Sequence, residues 1–593
     1  MPESRPIPLL PPPGVVKSES DFVIEGRWKD SQWCRFVDGR PEKMGGYSLL
    51  TSEATSGAPR TLHAWRDLGF TRYVGAGTYR KLYVYEVNDW DQNDITPLAA
   101  SGTLGNNPFT TTNGSAVVSV ASTGHGRKAG DTVIFSGASA VGGITISGTY
   151  LVTTVTNANV YTITHTSAAT SSATGGGASV AYQYEVTIGT EAGSYGLGYG
   201  VGGYGLGTYG TARTASTLFL EPRVWSLDHF GENLLAAFNG GSIYEWDPDT
   251  LGAGGRALVV TNAPDDVRYM FVTEERFVFA LCEDMVVNWC TQNDYTVWTP
   301  TETNTANLRR LALGTKLIAG RALGNRISLV WTDAALYLFQ YTGSSSVFSS
   351  RAVGRNCGLY GPNAQVVDSR GNAYWMGNDS FHVYNGTTQE IPNVNNIKDH
   401  VFGNLRREFA YLCYAHYNAA FDEIIWNYVP EGETTPTLYV LYSIKDGAWA
   451  VGSLARVSAT NFDHGETRPI MGASNGHLYQ HEDGYDADGS AIEAYMELAP
   501  YALEDGRQIL DVDGFVADFP DQVGNVTIEF EGFDRLRQAA IDSATLTVST
   551  TEDLEDLRLC ARHIGFTIRS NTVGGFFRYG KPMALVKSNG ARR

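Results

Sequence analysis

The sequence lacks any run of eighteen or more apolar residues, which excludes a membrane-spanning helix of ordinary length. Its opening, MPESRPIPLLPPPG, puts prolines where a signal peptide would need a continuous apolar helix, so the chain is expected to be made and folded in the cytosol. Cysteine is scarce: six residues, at 34, 282, 290, 357, 413 and 560, stand singly, without the close pairs of a zinc or redox motif, and read as reduced, mostly buried small hydrophobes. Basic residues are outnumbered, 44 Lys and Arg against 63 Asp and Glu, giving a formal charge of −19. A surface that grips nucleic acid needs clustered cations to displace counterions, so DNA binding is not expected. An acidic surface suits DNA only where a conduit wall should repel a passing strand.

Catalytic signatures are missing as well. The one Gly-x-Ser-x-Gly, Gly472 through Gly476, falls in the turn of the Ile470 to Tyr479 strand pair instead of ahead of a helix, so it does not read as a nucleophile elbow. There is no His-Glu-x-x-His among the eleven histidines, and the acidic run Asp483 to Asp488 lacks the spacing of a calcium loop. Ser443 through Trp449 faintly resembles the Asp-containing turn of sialidase-like propellers, but with different spacing, and reads as a hairpin between strands. No metal, cofactor or catalytic residue is expected, and the chain reads as a non-enzyme.

What is present is the composition of a strand-built protein: 42% hydrophobic residues, 12% aromatic residues and 66 glycines. At 593 residues the chain exceeds one ordinary hydrophobic core, so several domains or a repeat architecture must divide it. A repeat of about fifty residues supplies the answer. Each copy is an alternating apolar strand, a short turn and an aromatic strand: Leu62 to Tyr85, Leu234 to Trp246, Phe277 to Trp289, Ile327 to Phe339, Ala373 to Tyr384, Ile424 to Leu441 and Ile470 to Tyr479. This predicts an all-β fold based on a β-propeller of six or seven blades, over 61–105 and 216–482. Stacked sandwiches are the competing all-β arrangement.

Other segments interrupt or flank the repeat. Residues 106–188 turn to Ser, Thr, Ala, Val and Gly with almost no charge, and read as a small β-domain inserted in a surface loop. Residues 189–215 carry alternating Tyr or Leu and Gly; no Lys-Ser or Lys-Thr follows, so a phosphate loop is excluded, leaving a linker or an ordered loop that stacks on a neighbour. Residues 483–593 read as a sandwich-like closing domain that ends in a basic tail. Residues 1–60 read as an extended N-terminal arm and first strands. The prolines of Arg5 through Gly14 forbid a helix or a place inside a sheet, so that stretch should be polyproline-like and available to a neighbouring subunit. Gly26 through Tyr47, with bulky apolar and polar residues alternating and breaks at Gly39-Arg40-Pro41 and Gly45-Gly46, reads as a strand, a turn and another strand. The candidate inter-subunit contacts are Pro11, Pro12, Pro13, Trp28 and Trp33 of this arm, and Tyr195, Tyr199, Tyr204 and Tyr209 of the glycine-rich loop.

Gly26-Arg27-Trp28, Arg35-Phe36 and Gly39 through Tyr47 resemble the N-terminal region of tail nozzle, or tail stabilisation, proteins of short-tailed bacteriophages. So do Trp289-Cys290-Thr291 with Trp298-Thr299-Pro300, and Ala373 through Gly377 with Phe381 through Gly386. The resemblance implies a homohexameric ring in the virion tail, below the portal and a tail adaptor ring, with tail fibres or spikes around it. Genomic DNA would pass through it without specific binding, and the ring would close or gate the ejection channel until infection, meeting the host cell surface only indirectly. The alternative from the residues is a receptor-binding or glycan-recognising tail protein, since Tyr and Trp on loops suit sugar faces. A propeller glycan hydrolase is third.

Overall fold

The computed structural model describes residues 4–17, 20, 22–195, 219–252, 254–344, 346–462, 468–502, 506, 508–550 and 554–588. Seven four-stranded antiparallel sheets form the blades of a β-propeller. Blade 1 is Thr61–Arg66, Arg72–Gly77, Leu82–Glu86 and Gln92–Asp94, and blade 2 is Trp225–Phe230, Asn233–Phe238, Ile243–Trp246 and Leu258–Val259. Blades 3 to 6 begin at Val267, Leu317, Gln365 and Tyr414 and end at Arg310, Arg355, Glu390 and Ser453. Each of the seven repeats read from the sequence supplies the paired inner strands of one blade. The first strand of each blade is innermost: that of blade 1 touches those of blades 2 and 7, and that of blade 3 touches those of blades 2 and 4.

Blade 7 closes the ring. Its strands Ser458–Thr460, Ile470–Gly472 and Leu478–His481 come from the end of the propeller, and its fourth, Tyr47–Leu49, comes from the N-terminal segment, in register Tyr479↔Leu49 to His481↔Tyr47. A closure stitched from both ends of the repeat holds the first and last blades together without leaving a free sheet edge between them.

The remainder of the N-terminal segment docks on its own chain, which corrects the expectation of an arm held out to a neighbour. Arg5–Pro8 is an edge strand on Met583–Ser588, in the sheet that also holds Leu510–Val516 and Leu554–Ala561. The Leu9 amide donates to the Pro582 carbonyl at 3.0 Å, so odd-numbered residues face the ladder and Pro6 and Pro8, which have no N–H, point away from it. Proline is excluded from a central strand but not from this edge position. Trp28–Gln32 is the edge of a second sheet, with Ala494–Ala502, His563–Ser570, Val526–Phe533 and Asp542–Val548. The two sheets face each other as a sandwich across Phe515 and Phe530, whose rings lie 5.4 Å apart. Between these segments, Cys34–Val37 and Arg40–Lys43 make a hairpin whose two-residue turn, Asp38 at φ 51° and Gly39 at φ 77°, is the left-handed Asp-Gly turn that suits right-twisted strands.

The inserted domain runs from Leu98–Thr103 to Ala181–Glu185 as one curled eight-stranded sheet with its own apolar core, including Phe109, Phe135, Tyr161 and Ile163. The curl follows from Gly148–Asn157, which pairs with Thr132–Ser136 through its first half and with Val160–Thr164 through its second. Its base is tied to the propeller through buried Glu185, which pairs with Lys81 at 3.2 Å and Arg256 at 3.0 Å. Beyond it, Ser194–Tyr195 pairs with Phe219–Leu220 as a short two-stranded stem.

Candidate functional site

Two places concentrate polar chemistry. The first is the junction of hairpin, propeller and sandwich. Arg35 of the hairpin is fully buried and lies with its guanidinium 3.6 Å from the Phe421 ring centre. It donates from Nη2 to Glu482 Oε1, beyond the third strand of blade 7, and its Nε sits 3.5 Å from Glu423 Oε2, on the second strand of blade 6. The Glu482 carboxylate also accepts from the Gly45 amide at 3.1 Å and from Asn418 Nδ2 at 3.1 Å. Burial pushes the Glu423 carboxyl up to about 8, against the pull of Arg35. One guanidinium serving two carboxylates leaves the second with incomplete compensation, and protonation relieves the cost. Nearby, Glu42 pairs with Arg578 at 2.8 Å, and burial lowers Lys43 to about 8 while its Nζ donates to the Ile492 carbonyl at 3.2 Å. This is a fastening: every charge reaches between segments far apart in sequence.

The second place is a cavity of about 310 Å³ where the innermost strands of blades 2 to 6 begin, which puts it at one mouth of the central channel. Its wall includes Trp225, Arg268, Lys316, Tyr360, Glu408 and Tyr411. Glu221, also on the wall, is held by two cations, accepting from Arg268 Nη2 and from Lys316 Nζ at 3.0 Å. Burial raises the Tyr360 and Tyr411 hydroxyls above the usual phenol range. Sequence reasoning does not find this wall, because its residues come from the starts of separate strands and the loops before them and share no local pattern.

The sequence-predicted contacts fall differently. Trp28 is fully buried in the sandwich, edge-on to Phe566 at 6.0 Å and Tyr579 at 5.7 Å. Trp33 is buried at the junction, with Nε1 donating to the Gly45 carbonyl at 3.0 Å. Both rings are buried within their own chain: the alternation of their segment fits a strand that docks within one chain as well as one that docks on a neighbour. Pro12 is exposed, and Pro11 and Pro13 are half-buried. Tyr195 is described only through its backbone, in the stem; Tyr199, Tyr204 and Tyr209 lie outside the described residues. Ser443 through Trp449 is the last hairpin of blade 6, with Ser443 opposite Ala448. Among the described residues Cys34, Cys282, Cys290, Cys357 and Cys413 are buried free thiols and Cys560 is exposed.

No family model matches the chain, and no curated protein matches it. Among solved structures it is similar to the WD40 β-propeller domain of Doa1, at 11% identity over 65% of this chain and 96% of that one, with a TM-score of 0.29. A chain of a mitotic checkpoint complex gives 10% identity over 65% and 95%, with the same TM-score. The propeller assignment therefore rests on the seven sheets and their closure.

Proposed function

We propose that this chain is a structural subunit of the tail nozzle of a short-tailed phage, a ring that extends the DNA-ejection channel and acts through its surfaces instead of through catalysis. The supporting observation is where the family-like segments converge. Gly26-Arg27-Trp28, Arg35-Phe36 and Gly39 through Tyr47 are the residues that pass from sandwich to hairpin to blade 7, with Trp28 fully buried at the start of that path and Arg35 fully buried in its hairpin. This part of the resemblance thus falls on residues that join the domains of this chain, and the other parts, Trp289 through Pro300 and Ala373 through Gly386, fall within blades 3 and 5, which would be expected of a shared architecture. The net charge of −19 is consistent with a wall along which DNA slides. In this reading the virion tail is the site of action and the hexamer the working form, with an adaptor ring above and fibres or spikes around.

Native mass spectrometry of the purified full chain tests this. A hexamer, or a chain that becomes hexameric on a tail adaptor ring, supports the nozzle; a stable monomer or trimer in both conditions contradicts it. The channel-mouth cavity favours the second reading, recognition of a receptor or glycan, because Tyr360 and Tyr411 are only partly buried in its wall. Binding of surface glycans that is lost in Tyr411→Ala would support that reading over the first.

A further inference from the structure

Blades 1 and 2 are neighbours in the ring but not in the chain: the inserted domain and the glycine-rich tract lie between Asp94 and Trp225. At this interrupted join, three metal-binding side chains meet. His63 projects from the innermost strand of blade 1, and Asp228 and His229 from that of blade 2. His63 Nε2 is 3.0 Å from His229 Nδ1 and 3.8 Å from Asp228 Oδ1, and His229 Nδ1 is 3.6 Å from Asp228 Oδ1. A tetrahedral zinc ion with bonds of about 2.0–2.1 Å requires its donor atoms to be about 3.3–3.4 Å apart. The triangle already brackets that spacing, so the ion could enter with shifts of a few tenths of an ångström.

We propose that His63 Nε2, His229 Nδ1 and Asp228 Oδ1 form a binding site for one zinc-class divalent cation that clips blade 1 to blade 2. The surroundings orient the donors as metal sites do. Asp228 Oδ2 accepts the Val272 amide of blade 3 at 2.8 Å and Oδ1 accepts the His229 amide at 2.9 Å, which together fix the carboxylate and leave the second lone pair of Oδ1 for a metal. The His63 ring stacks on Trp65, with centroids 5.9 Å apart and planes 17° apart. Side-chain exposures of 18% for His63, 24% for Asp228 and 36% for His229 leave the fourth position open to water. Two imidazoles and one carboxylate suit zinc far better than calcium or magnesium, which prefer all-oxygen shells. A clip here would join ends separated by a long stretch of chain, where a cross-link removes the most freedom from the unfolded state.

The test uses the purified full chain, stripped with chelator and titrated with zinc by calorimetry at pH 7.5, with cobalt as a spectroscopic substitute. The expected result is one zinc per chain, an intense visible cobalt spectrum of four-coordinate type, and a melting temperature raised by zinc and restored by chelator. His63→Ala and His229→Ala, shown folded by circular dichroism, should each bind at least about 100-fold more weakly, since loss of even an outer-shell partner costs about 10–100-fold. No zinc uptake by the folded wild type would overturn the site. So would uptake undiminished in His63→Ala and His229→Ala, singly and combined, which would place the ion elsewhere.

Discussion

Replacing Trp28 with alanine separates a side chain used within the chain from one held out to a neighbour. The indole is fully buried, and removing about 200 Å² of aromatic surface from a dry site at about 25 cal/mol per Å² amounts to about 5 kcal/mol. Denatured chains already bury part of such surface, which lowers the figure; measured Trp-to-Ala losses in cores are about 3–5 kcal/mol. The edge-on contacts with Phe566 and Tyr579 go as well, and with them the ring that joins Trp28–Gln32 to the sandwich. Chemical denaturation of the purified chain, followed by tryptophan fluorescence and circular dichroism, should show the sandwich unfolding earlier by about that free energy. Pro12→Ala, at an exposed position, should shift it by less than about 0.5 kcal/mol. If Trp28→Ala unfolds like wild type as an isolated chain and fails only in assembly, the indole serves another subunit and the self-docking argument is wrong.

Other perturbations have equally definite outcomes. Glu423, with its carboxyl raised to about 8, holds a proton in the folded state that the unfolded chain has released. Its contribution to stability is therefore present below about pH 4.5 and lost as pH rises towards 8, at up to about 1.4 kcal/mol per pH unit; Glu423→Gln should flatten that slope in urea titrations between about pH 5 and 8. His416, which burial lowers to about 3, and His481, lowered by burial and by Arg456, act oppositely. Their contributions are present above about pH 6.5 and lost as pH falls through the lowered folded values, about 3 for His416, so His416→Asn should soften acid denaturation in that window. Gly77→Ala places a Cβ 2.7 Å from Trp225 of blade 2 and should lower thermal stability by about 1–3 kcal/mol; an unchanged melting curve would show that the two blades are not so closely packed. Deleting residues 1–50 removes the fourth strand of blade 7 and an edge strand from each sandwich sheet, so limited proteolysis should find both domains open.

The repeats were legible because a propeller blade is a local object. Ile327–Thr332 and Ala335–Tyr341 pair across a two-residue turn, and their alternation marks them wherever they sit in the ring. The closure was not legible, because Tyr47 meets His481 through backbone bonds that any sequence can make. The proline-rich start was misread for a related reason: proline bars a strand from the middle of a sheet, but nothing in Arg5–Pro8 names the edge at Met583–Ser588 that accepts it. The inserted domain stood out by composition, though its first strand, Leu98–Thr103, begins before residue 106, where the composition changes. His63 and His229 are unremarkable singly, and only the packing of blade 1 on blade 2 brings their nitrogens within 3.0 Å.

Electron microscopy of phage particles carrying this chain, with the propeller and sandwich fitted into the tail density, tests the central proposal most directly. The nozzle reading predicts six copies around a continuous channel, with acidic side chains facing the lumen. Copies attached singly or in threes at the periphery of the tail, away from the DNA path, would contradict it.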